Sequence, residues 1–221
     1  MASDPNPLIQ HDLRPIRWWN LAIFVVILPV LLVPGAWLFR ERGMLPLLAL
    51  FFVSGLIALA LAMAPLGRQA LPALGLRPAG WRPIVLGTVI ALVISVAVTQ
   101  LGIEPEGMKQ AMEIAREPAM FVGSLFVMAI LAPLVEETVF RGLLYGWIAG
   151  RWGTIAAWLL SSILFAAAHV ELAHVILVFP LGLWFGWLRR RTDSLWPSIV
   201  AHMVNNGTAV LAAAFLENTS P

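Results

Sequence analysis

Long apolar runs separated by short polar breaks dominate this sequence. A helix needs about 20 apolar residues to cross the roughly 30 Å hydrocarbon layer of a bilayer. Seven runs come near or exceed that length, and they cover residues 18–39, 44–64, 83–101, 119–149, 154–169, 173–188 and 195–216. The pattern predicts an all-α fold, a polytopic transmembrane helical bundle with about seven spans.

The segments between the runs are of two kinds. Residues 65–82 are broken repeatedly by proline and glycine, which indicates a surface loop with at most a short interfacial helix. Residues 102–118 carry apolar positions at helical spacing opposite charged ones, which predicts an amphipathic interfacial helix. The run 119–149 would be near 45 Å long as a straight helix, so we expect it to tilt, protrude or break, with Pro133 as the natural place for a break.

Composition supports one membrane domain. The chain has 221 residues, of which 60% are hydrophobic and 12% charged, with a mean hydropathy of +0.87. Such values exclude a soluble globular domain. We expect a polar N-terminal segment over 1–17, a single membrane-embedded domain over 18–216 with its motif-bearing core at about 119–216, and a polar tail over 217–221. There is no cysteine, which excludes disulfides and thiol chemistry.

The distribution of basic residues predicts the orientation. The sequence pI is near 9.9, but the cations are scattered in loops, which favours membrane orientation over nucleic-acid binding. With a cytoplasmic N-terminus, the inside segments hold nine cations: Arg14, Arg17, Arg68, Arg77, Arg82, Arg151, Arg189, Arg190 and Arg191. The outside segments hold four: Arg40, Arg42, Lys109 and Arg116. We therefore expect a multi-pass integral membrane protein with its C-terminus on the opposite side.

Three ionisable residues interrupt the fourth run. Glu136, Glu137 and Arg141 lie among apolar residues, and each costs about 2.5–3.5 kcal/mol near the centre of a membrane helix. Glu137 and Arg141 are four residues apart with the acid first, the better order for a helical ion pair. Glu136 projects about 100° away from that pair. Adjacent carboxylates with one cation at membrane depth indicate a functional site rather than a purely structural one.

Two later runs contribute further polar groups. Phe165 and His169 are four residues apart, and so are His202 and Asn206. At 1.5 Å per residue, Glu136, His169, His202 and Asn206 fall in one broad layer of the membrane. A carboxylate and a histidine can activate water, and a histidine and an amide can stabilise an oxyanion.

The sequence gives little support for a zinc, serine or aspartyl type of intramembrane protease site. There is no HExxH motif, no serine in a GxSxG turn, and Asp4, Asp12 and Asp193 all lie outside the spans. Ser198 with His202 is a weaker serine–histidine alternative on a single helix.

Taken together, three motifs resemble those of a known family. E-E-T-V-F-R at 136–141 matches EExxxR, F-A-A-A-H at 165–169 matches FxxxH, and H-M-V-N-N at 202–206 matches HxxxN. In this order on successive apolar segments they resemble the CPBP family of intramembrane proteases, which includes the CAAX prenyl endopeptidases and bacteriocin-processing relatives. The resemblance covers about residues 120–210.

The resemblance implies a role for each motif residue. Glu136 would activate the attacking water together with His169, and His202 and Asn206 would hold the oxyanion. Glu137, Arg141 and Phe165 would support the site. No cofactor is favoured, although Glu136, His169 and His202 could ligate zinc. The expected partners are the lipid bilayer and a membrane-associated protein or peptide, cut near a C-terminal anchor or lipidated tail; no nucleic acid is expected.

Two functions of other classes stay open at this stage. One is a non-proteolytic membrane scaffold or bacteriocin-immunity protein of the same family. The intact motif set argues against this function, because a scaffold has no use for Glu136 and two histidines that are costly to insert into a membrane. The other is a transporter, with little support because no inverted repeat is visible.

Overall fold

The computed structural model describes residues 15–215, which are helical apart from short connections and contain no strand. The predicted polar segments 1–17 and 217–221 lie outside the described residues except for 15–17. The α-helices are α1 (Trp18–Phe39), α2 (Met44–Met63), α3 (Ala70–Leu74), α4 (Trp81–Thr99), α5 (Glu106–Arg116), α6 (Pro118–Ser124), α7 (Ala132–Glu137), α8 (Tyr145–Ala167), α9 (Leu172–Thr192) and α10 (Trp196–Phe215). A 3₁₀ segment (Ala64–Gln69) precedes α3, and π-helical segments (Leu125–Leu131 and Thr138–Leu144) flank α7.

Within residues 15–215, six helical stretches are long and apolar enough to cross a membrane. The fourth runs for 50 residues, Pro118–Ala167, but Gly153 breaks it with φ 81° and ψ 170°. Phe140 and Phe165 would be about 37 Å apart on a straight helix, yet their ring centroids are 5.5 Å apart. The chain therefore folds back near Gly153, and the stretch holds two of the predicted spans.

Of the alternatives expected for the run 119–149, a break of the helix at Pro133 is not present. Backbone angles remain helical from Leu131 through Ala132, and α7 continues directly into the second π-helical segment. The adjustment is instead a π-helical turn immediately before the proline, a feature that often occurs at functional sites. The predicted 119–149 helix is thus continuous but wound more widely on both sides of α7.

The segment 65–82 contains the expected short helix, α3, but α3 is not confined to the surface. Ala73 and Leu74 are buried. A Cβ on Gly142 would lie 2.9 Å from Leu74 Cδ2, and a Cβ on Gly146 would lie 2.7 Å from Ile16 Cδ1. Glycines on the motif-bearing stretch therefore let α3 and the start of the described chain approach closely.

The end of α9 differs from expectation because the helix runs to Thr192. Arg189, predicted as a loop cation, is 1% exposed. It forms an ion pair with Asp193 and donates from Nε to the carbonyl of Arg141 over 3.1 Å.

The amphipathic helix predicted within residues 102–118 is confirmed as α5, with Ala115 buried.

Candidate active site

A buried ion pair joins Glu137 and Arg141. Arg141 Nη1 lies 3.2 Å from Glu137 Oε1, and both side chains are 0% exposed. Arg141 Nη2 donates to the carbonyl of Gly182 on α9 over 2.9 Å, and its guanidinium lies 4.1 Å from the ring centroid of Phe165 on α8. The predicted pairing is present, and it connects three helical segments.

Glu136, one residue earlier, faces different surroundings. Its side chain is 20% exposed, and its Oε2 lies 3.6 Å from Nε2 of His202. Among residues 15–215, the ion pair of Arg141 within 4 Å is with Glu137 and not with Glu136. The 100° offset expected from helical geometry thus separates the two carboxylates.

His202 lies between the two glutamates. Its Nδ1 donates to Glu137 Oε1 over 3.1 Å, while Nε2 faces Glu136. The ring stacks on Phe185 of α9, with centroids 4.8 Å apart. Sequence spacing did not reveal this bridge, because it depends on how α10 packs against α7.

His169 lies in the loop after α8, two residues beyond the end of the membrane-spanning stretch. Its Nδ1 donates to the carbonyl of Phe165 over 3.0 Å, which leaves Nε2 as the acceptor. Burial lowers the pKa of His169 below its usual value, so the imidazole is neutral near pH 7. A neutral ring with a free Nε2 can accept a proton.

Phe165 is the contact shared by these groups. It is 2% exposed, and its ring meets those of His169 and His202 edge-on at 5.1 and 5.9 Å between centroids. With Arg141 over its face, this side chain fixes the spacing between the FxxxH loop, α10 and the buried ion pair. The FxxxH motif therefore contributes a buried aromatic ring to the site as well as an imidazole.

Asn206 on α10 contacts the π-helical segment that precedes α7. Its Nδ2 donates to the carbonyl of Met128 over 3.1 Å. Met128 lies five residues before Pro133, within the π-helical segment, and proline has no N–H for the carbonyl that a π-helical bond would serve. One amide hydrogen of Asn206 therefore replaces a missing backbone donor.

Two nearby residues escaped the sequence analysis. The ring of His174 on α9 lies 4.5 Å from that of His169. Glu171 accepts hydrogen bonds from the N–H groups of Glu106 and Gly107 at the start of α5, over 2.8 and 3.2 Å. The spacing His169/His174 was visible in the sequence, but the Glu171 contact is long-range and had no local signal.

A metal site needs several ligand side chains that surround one point. Glu136 and His202 are close, but residues 15–215 contain no group of three or more His, Cys, Asp or Glu side chains arranged to hold a metal ion. In this structure, the side chains of Glu136, His169 and His202 do not surround one point as the ligands of a zinc ion do.

Comparisons with known proteins locate the similarity in this region. Residues 118–208 match the family model of the Type II CAAX prenyl endopeptidase Rce1-like proteins. YdiL of Bacillus subtilis (strain 168), which is named as a membrane peptidase, is 28% identical over 111 residues, 50% of this chain and 44% of the relative. The membrane-embedded CAAX protease MroQ of Staphylococcus aureus (strain USA300) is 31% identical over 130 residues, 54% of this chain and 51% of the relative.

The matched region spans about half the length of these curated relatives. No solved structure matches the chain. The family match covers all three motifs, so the resemblance first drawn from them is confirmed.

Proposed function

We propose that this chain, whose residues 118–208 carry the match to the Rce1-like CAAX endopeptidases, is an intramembrane endopeptidase. Its substrate would be a membrane-associated protein or peptide, cut near a C-terminal anchor or lipidated tail. The observation that supports this best is the position of Glu136. Its carboxylate is partly exposed, lacks an ion pair with Arg141 and lies next to His202.

The reaction begins with proton removal from water. Glu136 accepts a proton from a water molecule, and the neutral Nε2 of His169 assists by accepting a hydrogen bond from the same water. The oxygen forms a bond to the peptide carbonyl carbon, whose oxygen becomes an oxyanion. Glu136 then delivers the proton to the amide nitrogen, the C–N bond breaks, and a carboxylic acid and an amine leave.

His202 and Asn206 are the proposed donors to the oxyanion. Asn206 has one amide hydrogen on Met128 and a second for substrate. His202 donates from Nδ1 to Glu137, so it donates from Nε2 when it carries a second proton. The Asn206 amide is held by Met128 before substrate arrives, so it stabilises developing charge without reorganisation.

Glu137 and Arg141 support the site without touching substrate. Both are fully buried, and Glu137 orients His202 through Nδ1. Arg141 neutralises that carboxylate and connects it to the backbone of α9.

Substitution of Glu136 tests the proposal. The substrate is first identified as a membrane-anchored protein that accumulates uncut when the chain is deleted, and is then reconstituted in liposomes. Glu136→Gln keeps size and polarity but removes the base, and we expect cleavage to fall roughly 10²–10⁴-fold. Glu113→Gln, an exposed glutamate on α5, is the matched control and should cleave normally.

A well-folded Glu136→Gln variant that cleaves near the wild-type rate would make the protease assignment wrong. If that variant also restores the phenotype of the deletion strain, the non-proteolytic scaffold or immunity function takes its place.

The proposed mechanism uses no metal. Activity should therefore persist after treatment with a strong chelator. Stoichiometric zinc by elemental analysis, with activity lost on chelation and regained on adding zinc, would overturn this part of the mechanism.

A further inference from the structure

A cleft of about 380 Å³ is lined by residues outside the three motifs. These residues are Ile16, Arg17, Trp18, Trp19, Gly150 and Arg151. One wall is the start of α1, and the other is the part of α8 just before the reversal at Gly153. The cleft therefore lies where two membrane-crossing stretches end on the same side of the protein.

That position corresponds to the headgroup layer of a bilayer. Trp18 begins the first apolar stretch, and Gly153 marks the turn between two spans. Tryptophan is enriched at this depth because its ring is amphipathic. A ligand of the cleft would thus sit among lipid headgroups.

Two arginines, Arg17 and Arg151, line this space without an acidic neighbour among residues 15–215. Arg17 lies over the ring of Trp19 at 4.7 Å, and Arg151 lies over the ring of Trp147 at 4.6 Å. Arg151 also donates from Nη1 to the carbonyl of Trp147. Within residues 15–215, neither arginine has a carboxylate within 4 Å, and no acidic residue lines the cleft.

The base of the cleft is preformed. Ile16 is 2% exposed and packs so closely on Gly146 that a Cβ there would come within 2.7 Å of its Cδ1. The aromatic stacking restricts both arginines before any ligand binds. Preorganised groups lose less entropy on binding than free side chains do.

We infer that this cleft binds the phosphate group of an anionic phospholipid. Guanidinium groups bind phosphate oxygens in pairs of parallel hydrogen bonds, and the tryptophan rings pack against the glycerol and upper acyl chain. The site is separate from the proposed catalytic residues and does not depend on the proposed function.

The test measures lipid binding to the purified full chain in detergent. Native mass spectrometry and thermal unfolding are followed during titration with phosphatidylglycerol, with phosphatidylcholine and with inorganic phosphate. We expect one saturable phosphatidylglycerol per chain and no comparable binding of phosphatidylcholine. The double variant Arg17→Gln/Arg151→Gln should bind about 30-fold more weakly, since each basic residue near an anionic lipid contributes about 1 kcal/mol.

Arg40→Gln/Arg42→Gln is the matched control. It removes the same charge at the other end of α1, where Arg40 also lies over a tryptophan ring, Trp37, but does not line this cleft. This variant should bind phosphatidylglycerol as the wild type does. If the first double variant folds poorly, Arg17→Lys and Arg151→Lys keep the charge and should each weaken binding by a smaller factor.

Three results would overturn the inference. The first is equal binding of phosphatidylglycerol and phosphatidylcholine, which would indicate an ordinary annular contact. The second is an equal loss in both double variants, which would indicate charge alone. The third is inorganic phosphate binding as tightly as the lipid, which would make a free anion the ligand.

Discussion

The two glutamates at the end of α7 are neighbours in sequence but differ in their surroundings. Glu137 is fully buried, with Arg141 and His202 both on its Oε1. Glu136 is partly exposed, and His202 is its one described ion-pair partner. A carboxylate neutralised by a fixed cation is poorly suited to accept a proton, whereas one without that cation remains available.

The difference separates a structural side of the helix from a reactive one. On the structural side, a charge is buried and compensated, so its loss should affect folding. On the reactive side, a charge is only partly compensated, so its loss should affect chemistry. Substitutions on the two sides should therefore have opposite signatures in stability and activity.

The largest effect is expected on the reactive side. His169→Ala should approach the loss expected for Glu136→Gln, roughly 10²–10⁴-fold in cleavage rate. The double variant should be little worse than either single variant, because groups acting as a unit are not additive. Cleavage of reconstituted substrate is the measurement, with monodispersity as the folding control. Independent, multiplicative losses would contradict a shared role in activating water.

The lowered pKa of His169 predicts how the cleavage rate falls at acidic pH. Because the pKa of His169 is lowered from 6.5, its neutral form persists to more acidic pH than that of an exposed histidine. Wild-type cleavage should therefore decline only below that value as the ring gains a proton. A decline centred above pH 6.5 would show that another group controls this limb.

On the structural side, Arg141→Ala should destabilise the protein by about 3–5 kcal/mol, since it leaves Glu137 buried without a cation. The Glu137→Gln/Arg141→Gln double variant should partly restore folded yield, because neither charge then remains. Folded yield and the unfolding midpoint in detergent measure this. Equal yields for the wild type and all variants would contradict the proposed structural role.

Asn206 has both a structural contact and a proposed catalytic role, so we expect its substitution to have an intermediate effect. Asn206→Ala should reduce cleavage roughly 10²–10³-fold if the second amide hydrogen stabilises the oxyanion. It should also cost about 1–3 kcal/mol in stability, because the carbonyl of Met128 loses its donor. Cleavage and unfolding are measured on the same preparation. A destabilised variant that cleaves normally would assign Asn206 to helix structure alone.

Much of this arrangement could be predicted from local spacing. Apolar run length predicted the spans, and the i,i+4 rule predicted the Glu137–Arg141 pair and the separation of Glu136. The relation of Phe165 to His169 was likewise local, because one turn brings a carbonyl to the imidazole four residues later.

What could not be predicted depends on contacts between distant segments. The carbonyl of Met128 accepts a hydrogen bond from Asn206 on α10, which replaces the N–H that Pro133 lacks, so the helix continues through Pro133. The last turn of α9 buries Arg189 because the carbonyl of Arg141 and the carboxylate of Asp193 accept its hydrogen bonds. Neither partner is implied by periodicity or charge counting.

The smallest effect should come from Glu171, which lies on neither side of α7 but joins the His169 loop to α5. Its carboxylate accepts both N–H groups at the start of α5, and its own N–H donates to the carbonyl of His169 over 2.7 Å. Glu171→Ala removes a helix cap, which costs about 0.5–2 kcal/mol, while Glu104→Ala removes an exposed glutamate nearby.

Hydrogen exchange measures this effect without a substrate. The amides of Glu106 and Gly107 should exchange several-fold faster in Glu171→Ala than in the wild type, and Glu104→Ala should not change them, because a cap protects only the first turn. A modest fall in cleavage is expected as well, since the loop that carries His169 loses one of its anchors. Unchanged exchange at both amides would show that Glu171 does not hold α5, and the two sides of α7 would then account for the site without it.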